Sequence, residues 1–210
     1  TSITGCTNEG KVESIAKGNH TYTAGICIIY NGSNGSTYAD ELIINNCVNN
    51  GEIEGDTVAG IIGNSSGNLK LSDCENNGAI NGRYSAGGIA QCIENKNSNE
   101  AEVSNCINNG NVFGGAEAAG IIDYAEGITV TNCINNGNIS SNGYVGGIFS
   151  YTSSVKGTGL VNNGKISGLE DIGGISAYDE GNSIFSKLYN TGVIDEENIG
   201  AQVSNLVKLG

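Results

Sequence analysis

Cysteine and asparagine recur in one phrase, apolar-x-x-Cys-x-Asn-Asn-Gly-x-Ile, variants of which occur seven times in 210 residues. A thiol at a fixed position could ligate a metal or act as a nucleophile, and a carboxamide two residues later could contact a glycan. Five copies carry the thiol, at Cys6, Cys47, Cys74, Cys106 and Cys133. All seven copies carry the first asparagine, at Asn8, Asn49, Asn76, Asn108, Asn135, Asn162 and Asn190.

The cysteine position is better explained by packing than by chemistry. The sixth and seventh copies have Leu160 and Leu188 there, so the position requires a small or medium apolar group, which a free cysteine provides. An odd total of seven cysteines and the absence of a Cys-x-x-Cys pair argue against a disulfide framework or a zinc site. Stacked neighbours would still lie within the Cα distance of a disulfide, so bridging along the column remains open.

The first asparagine of each phrase is expected to face inward and to stack its amide on the equivalent asparagine of the next copy. A carboxamide carries donors and an acceptor, so such a ladder satisfies polar atoms that would otherwise be buried without partners. The glycine two residues later is expected to supply a left-handed backbone conformation at a corner. Glycan contact through exposed amides is the functional alternative.

The spacing of the copies predicts the fold. The five equivalent thiol positions are separated by 41, 27, 32 and 27 residues, and a second signature, Ala/Gly-Gly-Ile, follows each of the first six phrases. Cys74, Asn76, Gly78 and Ile80 occupy alternate positions, as residues on one face of a strand do. An apolar residue three positions before the cysteine breaks this alternation, which predicts a bend between that residue and the cysteine. We therefore predict an all-β, single-stranded parallel β-helix, or β-solenoid. It should have about seven turns of ~27 residues with three short strands per turn.

Interruptions of the repeat are the candidate binding loops. Insertions at 17–23, 30–40 and 94–99 are polar and glycine-rich, as exposed corners are. The candidate binding residues in them are His20, Tyr22, Tyr30, Asn31, Asn34 and Tyr38. The unbroken repeat predicts a single domain over residues 1–210, and a start at Thr1 suggests a piece of a longer protein.

Composition limits the classes of partner. A formal charge of -13 disfavours nucleic acid, and no apolar run is long enough to insert in a membrane. Catalytic motifs and cofactor signatures are absent, and we expect a monomeric non-enzyme without cofactors. The alternative is a carbohydrate-active β-helix that uses acidic residues, with candidate pairs at Glu52/Glu54, Glu170/Asp171, Asp179/Glu180 and 195–197. Residues 179–182 could instead hold a weak Ca²⁺ ion.

Two segments carry a resemblance to a known family. The run Asn-Cys-Ile-Asn-Asn-Gly-Asn-Ile at 132–139, followed by Tyr-Val-Gly-Gly-Ile at 144–148, resembles the GLUG-type repeat of bacterial surface proteins. Leu-Tyr-Asn-Thr-Gly at 188–192 is also close to a common form of that repeat. The resemblance implies a secreted or cell-surface bacterial module, non-catalytic, that binds a host protein or glycan or acts as a spacer. This chain departs from the family by its isoleucine after Gly-Gly and by its long insertions, and the family has no functional residues to carry over.

Overall fold

The computed structural model describes residues 1–16, 21–28, 41–95 and 101–195. Every strand pairing in it is parallel and joins one turn of the coil to the next. This confirms the predicted all-β parallel β-helix. Within the described ranges no helix could cross a membrane.

The strands form four sheets that run along the coil axis, and each sheet contains the equivalent segment of successive turns. Sheet A consists of Ser2–Thr4, Leu42–Asn45, Leu69–Ser72, Ala101–Ser104, Ile128–Thr131, Lys156–Thr158 and Ile184–Ser186. Sheet B consists of Thr7–Asn8, Val48–Asn49, Glu75–Asn76, Ile107–Asn108, Ile134–Asn135, Val161–Asn162 and Tyr189–Asn190. Sheet C consists of Val12–Glu13, Tyr22–Ala24, Ile53–Ala59, Ile80–Gly87, Val112–Gly114, Glu117–Ala119, Ile139–Ser141, Tyr144–Gly146, Ile166–Ser167 and Ile172–Gly173. Sheet D consists of Ile62–Ser66, Ala90–Glu94, Ile122–Glu126, Phe149–Ser153 and Ser176–Asp179.

We predicted three strands per turn, but successive turns contribute strands to four sheets. The bend before the cysteine separates the strand of sheet A from the strand of sheet B. The residue that precedes each Cys or Leu has a left-handed backbone, with φ near 53° at Asn46, Asp73 and Asn132. Asn and Asp tolerate this region better than most residues, and glycine occupies the same place at Gly5 and Gly159. The predicted bend is confirmed, and its position is one residue before the cysteine.

The predicted role of the phrase glycines is wrong. None of them has a left-handed backbone; instead, a Cβ on Gly51, Gly110 or Gly137 would lie 1.9 Å from a carbonyl oxygen of the preceding turn. Gly10 of the first turn meets nothing within 4 Å, because no turn precedes it in the structure. Close approach of stacked backbones, and not a special dihedral angle, therefore requires glycine here.

A column of asparagine and glycine divides the interior into two apolar clusters. The larger lies between sheets A, B and D and includes the buried cysteines of the repeated phrase, and the smaller lies inside sheet C around Ile53, Ile80 and Val145. A Cβ on Gly120 of the Gly-Ile signature would lie 2.4 Å from Asn135 Cγ. The two repeated signatures therefore meet across the coil, with the carboxamide packed against a residue that has no side chain.

The sixth copy, which has Gly157 in place of a large apolar residue, is filled from the following turn. A Cβ on Gly157 would lie 2.5 Å from Phe185 Cδ1, so the ring of Phe185 occupies the space that the missing side chain leaves.

Candidate functional site

The seven asparagines that end the strands of sheet B form a continuous ladder. Each Nδ2 donates to the Oδ1 of the next asparagine at 2.7 or 2.8 Å, from Asn8 through to Asn190. The same amide also donates to the carbonyl of the phrase glycine, as Asn108 does to Gly110 at 2.8 Å. The five central amides have no exposed surface, so these five cannot contact a ligand, whereas Asn8 and Asn190 at the two ends are partly exposed.

A second, exposed ladder lies one residue further along the chain and was not predicted. Asn77 donates to Asn50, Asn109 to Asn77, and Asn136 to Asn109, at 2.8 to 2.9 Å. The sequence signal was the second Asn of Asn-Asn-Gly, which five copies retain. Its side chains face solvent, so each link contributes far less to stability than a buried one.

The cysteine column is a packing feature with free thiols. Cys47, Cys74, Cys106 and Cys133 are buried, while Cys6 is exposed in the first turn. Each buried thiol lies 3.2 to 3.4 Å from the carbonyl oxygen two residues before it, as in Cys74 to Ser72. Burial raises the pKa of the Cys47 thiol, and it raises the pKa of Cys27, which lies outside the column, to about 11. A raised pKa disfavours the thiolate that nucleophilic chemistry needs.

Of the candidate loop residues, only Tyr22 lies in the described part of the chain. It is half-buried in Tyr22–Ala24 of sheet C, paired with Thr57. His20, Tyr30, Asn31, Asn34 and Tyr38 lie outside the described residues.

Two of the predicted acidic pairs, Glu52/Glu54 and Asp179/Glu180, contain carboxylates that contact neighbouring side chains. Lys11 Nζ lies 2.7 Å from Glu54 and 3.9 Å from Glu52, and this contact lowers the pKa of Glu54. Asp179 accepts hydrogen bonds from Thr152 and Ser183 at 3.0 and 2.6 Å, which places its carboxylate in a loop contact. No group of three or more His, Cys, Asp or Glu side chains that could hold a metal ion occurs among the residues the structure describes.

One carboxyl that the sequence did not single out is fully buried. Asp123 has no exposed surface and accepts hydrogen bonds from Ser150 Oγ and, at 3.2 Å, from Gln91 Nε2. Burial, with a smaller contribution from nearby Glu117, raises the pKa of Asp123 to about 7. A carboxyl without exposed surface cannot touch a substrate in this conformation, so its effect is on stability.

The raised pKa makes Asp123 a source of pH-dependent stability. The folded-state value exceeds the unfolded value of about 3.9, so this stabilisation is complete below about pH 4 and is lost as the pH rises through about 7. Asp123→Asn is expected to be about 1–3 kcal/mol more stable than the parent near pH 8, and equal to it near pH 4. Gln91 Oε1, which has no hydrogen-bond partner, could accept from the new amide after a flip. Urea unfolding at both pH values checks this, and equal pH slopes for the two proteins would contradict it.

A stack of three tyrosines on sheet D is a further feature that sequence reasoning missed. Tyr124 and Tyr151 have ring centroids 4.6 Å apart and nearly parallel planes, and Tyr178 continues the stack at 5.4 Å. Tyr124 donates to Glu126 at 3.1 Å. The stacked rings add aromatic packing between neighbouring turns of sheet D, and Tyr178 at the end of the stack is 42% exposed.

Among the described residues, one candidate binding surface is a groove on the outer face of sheet C. This sheet C groove encloses about 290 Å³ and crosses four successive turns. Its lining consists of Asn81, Asn111, Val112, Phe113, Asn138, Ile139, Ser140, Lys165 and Ser167. Phe113 is 43% exposed, so much of its ring is open to a ligand in the groove.

The polar side chains of the groove are held by the register of the coil. Asn81, Phe113, Ser140 and Ser167 occupy equivalent positions in neighbouring strands and form one row along the axis. Asn111, Asn138 and Lys165 form a parallel row two positions earlier. Asn111 Oδ1 accepts from the backbone N–H of Asn138 at 3.0 Å, and Asn138 Oδ1 accepts from that of Lys165 at 3.0 Å.

The groove presents chemical groups that suit the binding of a ligand. It combines an exposed aromatic ring with amide, hydroxyl and ammonium groups on a rigid sheet. Family models, curated proteins and solved structures gave no match to this chain. The resemblance to GLUG-type repeats therefore stays a prediction.

Proposed function

We propose that this chain is a non-catalytic β-solenoid module, secreted by a bacterium or exposed on its surface, that binds a glycan through the sheet C groove. The observation that carries the proposal is the exposure of Phe113 in the middle of a row of amide and hydroxyl groups. A sugar ring has an apolar face of C–H groups that packs on an aromatic ring, and its hydroxyls pair with amides and hydroxyls.

The rest of the molecule supports a display role. The asparagine ladder and the paired sheets make the outer face rigid, so little conformational freedom is lost when a ligand binds. The formal charge of -13 favours neutral ligands over anionic ones such as nucleic acid. Binding of a host protein, and action as a spacer without a ligand, are the other readings of the same module.

The expected effect of Phe113→Ala is a loss of at least about tenfold in glycan affinity, because the apolar sugar face loses its packing partner. A glycan array probed with the labelled parent identifies the ligand, and titration of both proteins then measures the loss. Tyr189→Ala is the matched control, since Tyr189 is 54% exposed on sheet B, away from the groove. The proposal fails if no glycan binds. It also fails if Phe113→Ala loses no more glycan affinity than the control Tyr189→Ala does.

Carbohydrate cleavage is the second candidate function, and one observation favours it. A hollow of about 240 Å³ is lined by Glu117, Tyr144 and Glu170, close to the buried Asp123. Two carboxyl groups beside a sugar could act as acid and base. A reducing-end assay on the bound glycan separates the two functions: cleavage that Glu117→Gln abolishes would favour the enzyme, and intact glycan would favour the binding module.

A further inference from the structure

We infer that the sheet C groove binds a neutral, extended polysaccharide laid along the coil axis, with about one sugar unit per turn. This inference rests on the proposed function and narrows its ligand from glycans in general to one class. Three observations carry it: the spacing of the two rows, the donors that they present, and the charges at the ends of the groove.

The spacing of the rows sets the direction of the ligand. Neighbouring parallel strands lie about 4.8 Å apart, so equivalent groups recur along the axis at roughly the length of one pyranose ring. The groove contains an equivalent polar or aromatic group in four successive turns, at Asn81, Phe113, Ser140 and Ser167. A linear chain along the axis meets one such group per unit, whereas a chain across the axis would leave the groove after one turn.

The row of Asn111, Asn138 and Lys165 presents hydrogen-bond donors. The Oδ1 atoms of Asn111 and Asn138 are already occupied by backbone N–H groups of the next turn. Neither Nδ2 donates to another described residue, so both amides offer N–H groups in a fixed direction. Hydroxyl and ring oxygens of a sugar accept such donors, and a regular polymer supplies them at a regular interval.

Charge selects against anionic polymers. Lys165, the cation in the groove, lies 2.8 Å from Asp195, which neutralises much of its charge. At the other end, Glu52 accepts a hydrogen bond from Asn81 at 2.9 Å, and Glu54 precedes Asn81 in its row. Lys11 is likewise paired with Glu54 at 2.7 Å, so neither end of the groove offers a net positive charge to a uronate or sulfated chain, and the polymer that fits carries no charge.

Length dependence tests the inference. The probes are linear β-1,4-linked oligosaccharides of glucose, mannose and xylose, from dimer to hexamer, titrated into the intact chain. For whichever of the three sugars binds, the affinity should rise by about threefold to tenfold per added sugar unit up to the tetramer, and then level off. Ser167→Ala should weaken the tetramer by a similar factor, while Ser186→Ala on sheet A should leave its affinity unchanged.

The outcomes separate this inference from the proposed function. A dimer that binds as tightly as the hexamer would overturn the axial chain and leave glycan binding in place. Binding on the array to charged or branched glycans alone would also overturn it. If no glycan of any length binds, the proposed function itself is wrong.

Discussion

Asn108→Ala is expected to lower the free energy of unfolding by about 3–5 kcal/mol. Its carboxamide donates to Asn135 Oδ1 and to the Gly110 carbonyl, and accepts from Asn76 Nδ2. Alanine removes all three bonds and leaves a donor on Asn76 and an acceptor on Asn135 buried without partners. Each such group costs about 1–3 kcal/mol, and the small cavity adds to the loss. Chemical denaturation of the parent and the variant measures the difference.

Asn109→Ala is the control for this prediction, because Asn109 is the neighbouring residue in the exposed ladder. It donates to Asn77 and Glu75 at the surface, where water replaces lost hydrogen bonds. The expected loss is below about 1 kcal/mol. Equal losses in the free energy of unfolding for the two variants would mean that burial does not determine how much the inner ladder contributes to stability.

Gly110→Ala is expected to destabilise the protein by about 3 kcal/mol or more, or to prevent folding. The added Cβ would lie 1.9 Å from the Gly78 carbonyl oxygen and 2.9 Å from Asn76 Nδ2. The first atom belongs to the backbone of a stacked turn, so the strain is relieved only if two turns separate. Separation would break the backbone pairing of sheet B and one rung of the asparagine ladder.

The matched control is Gly10→Ala, the same substitution at the same place in the repeat. Gly10, like Gly110, lies two residues after the first asparagine of its phrase, but a Cβ on Gly10 would meet nothing within 4 Å. Its expected effect is within about 0.5 kcal/mol. Thermal unfolding of both variants measures how much stability each one loses. Comparable losses would show that glycine is required by backbone conformation and not by close stacking of the turns.

The coil could be predicted because its signals repeat. Cys74, Asn76 and Ile80 occupy alternate positions in a phrase that returns with a period near 27, and both the parallel stacking and the inward face follow from that. The four-sheet cross-section was missed because one residue, such as Asn132 with φ 53°, turns the chain between two strands. An Asn, Asp or Gly directly before most of the cysteines was the available signal.

The candidate groove could not be predicted, for a physical reason. Phe113 faces solvent, where packing imposes no pattern, and the equivalent positions of the neighbouring copies carry Asn81 and Ser140 instead. Asp123 was missed because it lies in an apolar run, and its burial depends on Ser150 and Gln91 from neighbouring turns. Both features come from side chains that stacking brings together across turns.

The central claim is that glycan binding takes place on the outer face of sheet C. It is tested most directly by two-dimensional amide NMR spectra of the ¹⁵N-labelled chain during titration with the glycan found on the array. Binding in the groove predicts that the shifted amides are those of residues 111–113, 138–140 and 165–167. Shifts confined to residues 17–23 and 30–40, with the groove unchanged, would contradict it and would place binding in the insertions.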